Sequence, residues 1–187
     1  EYAADSFKAD REVVLEAVRQ SFSGDVSCNF YCAPEHGHAL EFAATGLKAD
    51  REIVCQAVKA NGWALEHASD KLQADREVVL HAVRSSGRAL EYAADSFKAD
   101  REVVLEAVRQ SFSGDVSCNF YCAPEHGHAL EFAATGLKAD REIVCQAVKA
   151  NGWALEHASD KLQADREVVL HAVRSSGRAL EYAADSF

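Results

Sequence analysis

The sequence predicts an all-α fold, an α-solenoid of two-helix repeats. Three observations lead there. Residues 91–187 repeat residues 1–97 without a change, so a 90-residue period runs slightly more than twice. Within each period, Ala39-Leu40-Glu41, Ala64-Leu65-Glu66 and Ala89-Leu90-Glu91 open three related units of 25, 25 and 40 residues. Each unit carries apolar residues at helical spacing but is too small to bury a core alone, and stacking on its neighbours supplies the missing surface.

Two short helices are expected per unit. Helix A runs through Ala39-Leu40-Glu41-Phe42-Ala43-Ala44 and ends near Leu47. Helix B follows Lys48-Ala49-Asp50 and spans Arg51 to Lys59. Asp10, Asp50 and Asp75 stand where an N-cap carboxylate accepts from free backbone N–H groups. Glu12, Glu52 and Glu77 follow in the first turn and Arg19, Lys59 and Arg84 close the helix, so both ends suit the macrodipole. Gly62 and Gly87 are expected to take the left-handed position that ends helix B.

The apolar residues of helix B (Val13, Val14, Leu15, Ala17, Val18) cover an arc of about 200° at about 100° per residue. Those of helix A (Ala39, Leu40, Phe42, Ala43, Ala44, Leu47) cover a similar arc. A surface helix needs roughly half as much, so both helices are expected to be buried within their own unit and against the next.

The chain is therefore expected to form one continuous solenoid over residues 1–187. Its units are 1–38 (partial, insert 21–35), 39–63, 64–88, 89–128 (insert 111–125), 129–153, 154–178 and 179–187 (partial). With no Met and both ends in mid-repeat, it reads as a window of a longer array.

The run Ala-Leu-Glu-Tyr-Ala-Ala-Asp, followed by Ala-Asp-Arg-Glu-Val-Val-Leu-Glu-Ala-Val-Arg and then Gly, resembles the tandem helical repeats known as domain of unknown function 4116. The resemblance covers nearly the whole chain apart from residues 21–35 and 111–125. It implies a repeat-array protein for interaction or structure, and the family offers no catalytic residues to carry over.

The insert is where chemistry would sit, because long connections are usually functional or disordered. Cys28-x3-Cys32-x3-His36-x-His38, copied as Cys118, Cys122, His126 and His128, brings two thiols and two imidazoles into eleven residues. That set suits tetrahedral zinc, although the compact His-x-His half is atypical. Other soft-ligand metals or an iron–sulfur centre are alternatives. So are a local Cys28–Cys32 disulfide in an oxidising compartment, free thiols in a packed loop, and bridges to neighbouring molecules.

A second candidate is a strip at the edge of helix A, occupied by His38/Phe42, Trp63/His67 and Arg88/Tyr92, with copies Trp153/His157 and Arg178/Tyr182. Each pair stands at i, i+4, where side chains touch. Either a partner- or pigment-binding ridge or packing between adjacent repeats would use such residues. Cys55, in the place of Leu15 and Leu80, reads as a small buried hydrophobe. His81, in the place of Glu16 and Gln56, reads as solvated.

The formal net charge of −10 is −4 per period with −2 from residues 181–187, which supports solubility. No Lys/Arg run tracks phosphates, so nucleic acid is not expected as a partner. Apolar runs of three to four residues, such as Val13-Val14-Leu15, supply neither a membrane span nor a signal-peptide core, which leaves the compartment open.

Catalysis is not expected. There is no phosphate-cradling Gly loop and no Ser/His/Asp order; Cys32 and His36 could pair as nucleophile and base, but no oxyanion site accompanies them. The leading expectation is a structural scaffold, rod or filament, whose partners are other copies of itself stacked head to tail or other proteins. The alternative is a binding module holding zinc or a cofactor once per 90 residues.

Overall fold

A computed structural model describes residues 5–20, 38–110 and 129–184, with the backbone alone for His38. Among these residues the regular structure is helical and no strand occurs. Six ten-residue helices form the spine: α1 (Arg11–Gln20), α2 (Arg51–Ala60), α3 (Arg76–Ser85), α4 (Arg101–Gln110), α5 (Arg141–Ala150) and α6 (Arg166–Ser175). Each packs on the next in order. The stack does not pause where the sequence carries its insert, because α4 rests directly on α5 and α1 on α2.

These helices form for the reasons their sequence suggests. Asp50 Oδ1 accepts from the backbone N–H of Glu52 at 2.9 Å and of Ile53 at 3.3 Å. Asp75, Asp100, Asp140 and Asp165 cap their own helices in the same way. Ile53, Val54, Ala57 and Val58 of α2 and Val78, Val79, Ala82 and Val83 of α3 are buried. Each fully buried aliphatic side chain contributes on the order of 1.5–3 kcal/mol.

The expected helix A is not one helix. In the unit that follows α2 it splits into a 3₁₀-helix, Gly62–His67, and a single α-turn, Asp70–Gln73. The break falls at Ala68 (φ −72°, ψ 154°) and Ser69 (φ −63°, ψ 152°), both extended. Its cause lies in the neighbouring unit. Ser69 N–H donates to the Lys48 carbonyl at 2.9 Å, a bond that continued helix would forgo. The same bond joins Ala44 to Lys8, Ala94 to Gln73, Ala134 to Lys98, Ser159 to Lys138 and Ala184 to Gln163. Gln73 then ties the two pieces together, its Nε2 donating to the carbonyls of Leu65 and Glu66.

The glycines also depart from expectation. Helix α2 ends through extended Asn61 (φ −149°, ψ 114°) and α3 through extended Ser86 (φ −149°, ψ 118°), each leading straight into a 3₁₀-helix. Gly62 is not in the left-handed region; it is needed for closeness. A Cβ there would meet the Ala82 carbonyl oxygen of the following unit at 2.4 Å, and Gly152 faces Ala172 at the same distance.

The 3₁₀-helices form the second layer. Gly62–His67 packs on Gly87–Tyr92, and Gly87–Tyr92 on the short helix Ala129–Phe132. Buried Leu65, Leu90, Leu130 and Leu155 fill the space between this layer and the spine, so the core is continuous along the array.

Candidate functional site

Two sets of side chains recur at the joints between units. The first lies along the spine. Arg51 Nε donates to Asp75 Oδ2 at 3.2 Å while its Nη2 donates to Glu77 Oε2. Arg76 repeats this with Asp100, at 2.8 Å, and Glu102; Arg101 does so with Asp140, at 3.0 Å, and Glu142. Arg11 clasps Asp50 and Glu52, and Arg141 clasps Asp165 and Glu167. Each N-cap carboxylate thus uses one oxygen for its own helix and the other for the preceding unit's guanidinium.

Sequence reasoning assigned the carboxylates to helix ends and missed the arginines. A signal was present: a basic residue in the first position of a helix opposes the macrodipole. Arg11, Arg51, Arg76, Arg101, Arg141 and Arg166 all take that position. The two carboxylates of the next unit offset the unfavourable field, and a fork of fixed geometry suits the task better than Lys would. The guanidinium beside Asp50 holds its carboxyl below the usual carboxylate value, and the carboxylates raise Arg51 further above its already high one.

The second set contains the predicted strip. The Trp63 ring lies 6.1 Å from that of Tyr92, tilted by 56°, and the Arg88 guanidinium sits 5.0 Å from the Trp63 centroid. Arg88 is also 6.0 Å from the Phe132 ring, so residues of three successive short helices, Gly62–His67, Gly87–Tyr92 and Ala129–Phe132, meet. The copies repeat the arrangement, with Trp153 at 5.8 Å from Tyr182 and 5.1 Å from Arg178. These contacts run between successive short helices, whereas i, i+4 spacing pairs residues within one helix. The 3₁₀ geometry is the reason: at about three residues per turn, i and i+3 share a face and i+4 has rotated away. His67 and His157 are half-buried in the same layer. Burial, then the charge of Glu91 and a contact with the Glu66 carboxylate, push the Tyr92 phenol up to about 12.

A shallow groove of about 480 Å³ crosses the joint between α5 and α6, lined by Arg141, Glu142, Cys145, Gln146, Lys149 and His171. Cys55 and His81 hold the equivalent places on α2 and α3. Cys55 is half-buried against the core, where burial raises its thiol. His81 is less solvated than its polar-face position suggested, with 26% of its side chain exposed and Nε2 3.9 Å from Glu77 Oε1. Burial lowers its affinity for a proton.

Of the proposed metal ligands, Cys28, Cys32 and His36, with Cys118, Cys122, His126 and His128, lie outside the described residues, as does the side chain of His38. Among the described residues no group of three or more His, Cys, Asp or Glu could hold a metal ion, and no helix is long and apolar enough to cross a membrane.

The repeating joints invite comparison with known repeats. The family described as Domain of unknown function (DUF4116) matches in tandem at residues 31–73, 75–138, 116–163 and 140–187. The chain belongs to this family. In this DUF4116 array the Ala-Asp-Arg-Glu step is the clasp between spine helices, which accounts for its recurrence in every unit. No curated protein and no solved structure matches the chain.

Proposed function

We propose that this DUF4116 array is a non-enzymatic scaffold, an elongated rod whose function is to set distance and present a repeating surface. One observation carries the reading: the same joint is rebuilt at each described junction, from Arg11 on Asp50 to Arg141 on Asp165, and across both inserts. The chemistry repeated from unit to unit is thus spent on stacking, as in proteins whose stability sums over nearest-neighbour interfaces.

Small-angle scattering on this chain and on one with twice as many periods tests it. A rod roughly doubles its maximum dimension, whereas a compact particle grows by only about 1.3-fold, with the 0.38 power of length. Compact scaling would overturn the scaffold reading.

The second reading places zinc at Cys28, Cys32, His36 and His38, supported by ligand type and spacing in the sequence. Elemental analysis decides it: about one zinc per insert supports a loaded site, and none removes it.

A further inference from the structure

Asparagine is followed by glycine at Asn61-Gly62 and Asn151-Gly152, where α2 and α5 end. That pair carries a chemistry of its own. The glycine backbone nitrogen can attack the side-chain amide carbon of the asparagine, because no Cβ stands in the way. A C–N bond forms, the bond from that carbon to the side-chain nitrogen breaks, and ammonia leaves. Water then opens the five-membered ring at one carbonyl or the other. The products are aspartate, or isoaspartate with the chain rerouted through Cβ. Asn29 and Asn119 are followed by Phe, whose bulk hinders the same attack.

In the folded chain every reacting group is held off this course. Gly62 N–H donates to Ser85 Oγ of α3 at 3.0 Å, so the attacking nitrogen is engaged by the next helix. Gly152 N–H donates to Ser175 Oγ of α6 at 3.2 Å. Asn61 Oδ1 accepts from Trp63 N–H at 3.0 Å, which fixes the side chain as the cap of the 3₁₀-helix, and Asn151 caps Trp153 alike. Ring closure also eclipses the asparagine Cβ with the glycine nitrogen, which for an L residue needs a strongly negative ψ. Asn61 stands at ψ 114° and Asn151 at 113°, so the glycine peptide must turn first. Gly62 is buried against the Ala82 carbonyl oxygen, where even a methyl group does not fit. It is free to turn only when α2 and α3 part.

We propose that Asn61 and Asn151 are sites of spontaneous deamidation that the assembled joint keeps closed, so that each records the opening of its own joint. The only co-reactant is water. This inference goes beyond the scaffold reading and does not depend on it. When a joint opens and recloses faster than the ring forms, the rate follows the fraction of time that joint is open. The record is permanent, because ammonia is lost. Isoaspartate also lengthens the chain by one carbon immediately before Gly62, at a contact with no spare room, so a marked joint does not close as before.

Peptide mapping by mass spectrometry, after incubation at mildly alkaline pH, tests the proposal. The tryptic peptides 60–71 and 150–161 are identical, so the exposed Lys71→Arg is carried throughout to tell them apart. In the folded chain both sites are expected to deamidate more slowly than in the same chain unfolded in urea, by about tenfold or more. Ser85→Ala frees the Gly62 N–H and should speed Asn61 about fivefold, the ratio for one lost hydrogen bond, with Asn151 at its wild-type rate. Ser175→Ala should do the reverse, and it replaces Ser85→Ala if circular dichroism shows that variant unfolded. Equal rates in the folded and unfolded chains overturn the proposal. So does a serine variant that leaves its own site unchanged or speeds both sites alike.

Discussion

A Cβ on Gly62 would stand 2.4 Å from the carbonyl oxygen of Ala82, closer than any side chain can sit to backbone. The Ser86 backbone N and Cβ lie 3.0 Å away, so the crowding is against the end of a helix that cannot step aside. Gly62→Ala is expected to destabilise the array by about 1–3 kcal/mol, the range for forced overpacking. Gly177→Ala, where a Cβ meets nothing within 4 Å, should be close to neutral. Urea denaturation of both variants checks the pair, and equal losses would remove the close-approach argument.

Asp75 serves two helices at once. Its Oδ1 caps α3 through Glu77 N–H and Val78 N–H, and its Oδ2 receives Arg51. Asp75→Ala should cost about 0.5–2 kcal/mol through the cap. Asp75→Asn keeps an oxygen for the cap and loses the charge, so it should cost less. Thermal melts at low and high salt separate the contributions, since only the ion pair is screened.

Acid should weaken the array. The Arg11 guanidinium holds Asp50 below its ordinary value of 3.8, and the Val168 N–H does the same for Asp165. A carboxylate whose folded value is depressed contributes its full stability above the unfolded value. That contribution is lost as pH falls through the folded one. His81 follows the same sign: burial places its folded value below the ordinary 6.5, so protonation favours unfolding. Lys59, Arg84 and Arg51 add to that effect and Glu77 opposes it. Melting temperature is expected to decline in two stages, a first below about 6.5 and a second below about 4. His81→Gln should remove part of the first and Asp50→Asn part of the second.

Alkali acts on the other layer. With the Tyr92 phenol at about 12 against an ordinary 10.0, the neutral form is favoured in the fold. Its contribution is present below the unfolded value and is lost as pH rises through the folded one. Absorbance titration near 295 nm should show a tyrosine that ionises late in wild type and is missing in Tyr92→Phe. A single transition near 10 for every tyrosine would contradict the assignment.

Trp63 reports on the same joint. In Trp153→Phe the emission comes from Trp63 alone, since the chain has only two Trp. Arg88→Ala in that background removes a guanidinium 5.0 Å from the ring and should both shift the emission and cost about 0.5–1 kcal/mol. Unchanged emission would place Arg88 away from Trp63.

Much of this architecture was legible residue by residue. The spine helices were readable because Asp caps, apolar spacing and closing basic residues agree at each of them, as at Asp50, Ile53, Val54 and Lys59. Helix A misled because Ala39-Leu40-Glu41-Phe42-Ala43-Ala44 carries good helix formers throughout, and propensity is a weak prior against tertiary demand. The demand here is one backbone bond per unit, such as Ser69 N–H to Lys48 carbonyl, which a pattern within a single segment does not contain. Gly62 was recognised as special but for the wrong reason, since a left-handed turn and a close approach both require glycine.

By itself the sequence determined the period, the all-α class, the boundaries and caps of the spine, and most of the spine residues that enter the core, whereas Phe42, expected in the apolar arc of helix A, is half exposed. Each of these is a local matter of spacing, capping and polarity within one unit. Only the tertiary structure decided how units meet. It turned Arg51 and its equivalents from unfavourable first-turn residues into clasps, and split helix A to free an N–H for the neighbour. It also carried Trp63, Arg88 and Tyr92 across the joint between units. The reason is physical: a unit this small has no core of its own, so its decisive contacts involve residues about 25 or 40 positions away.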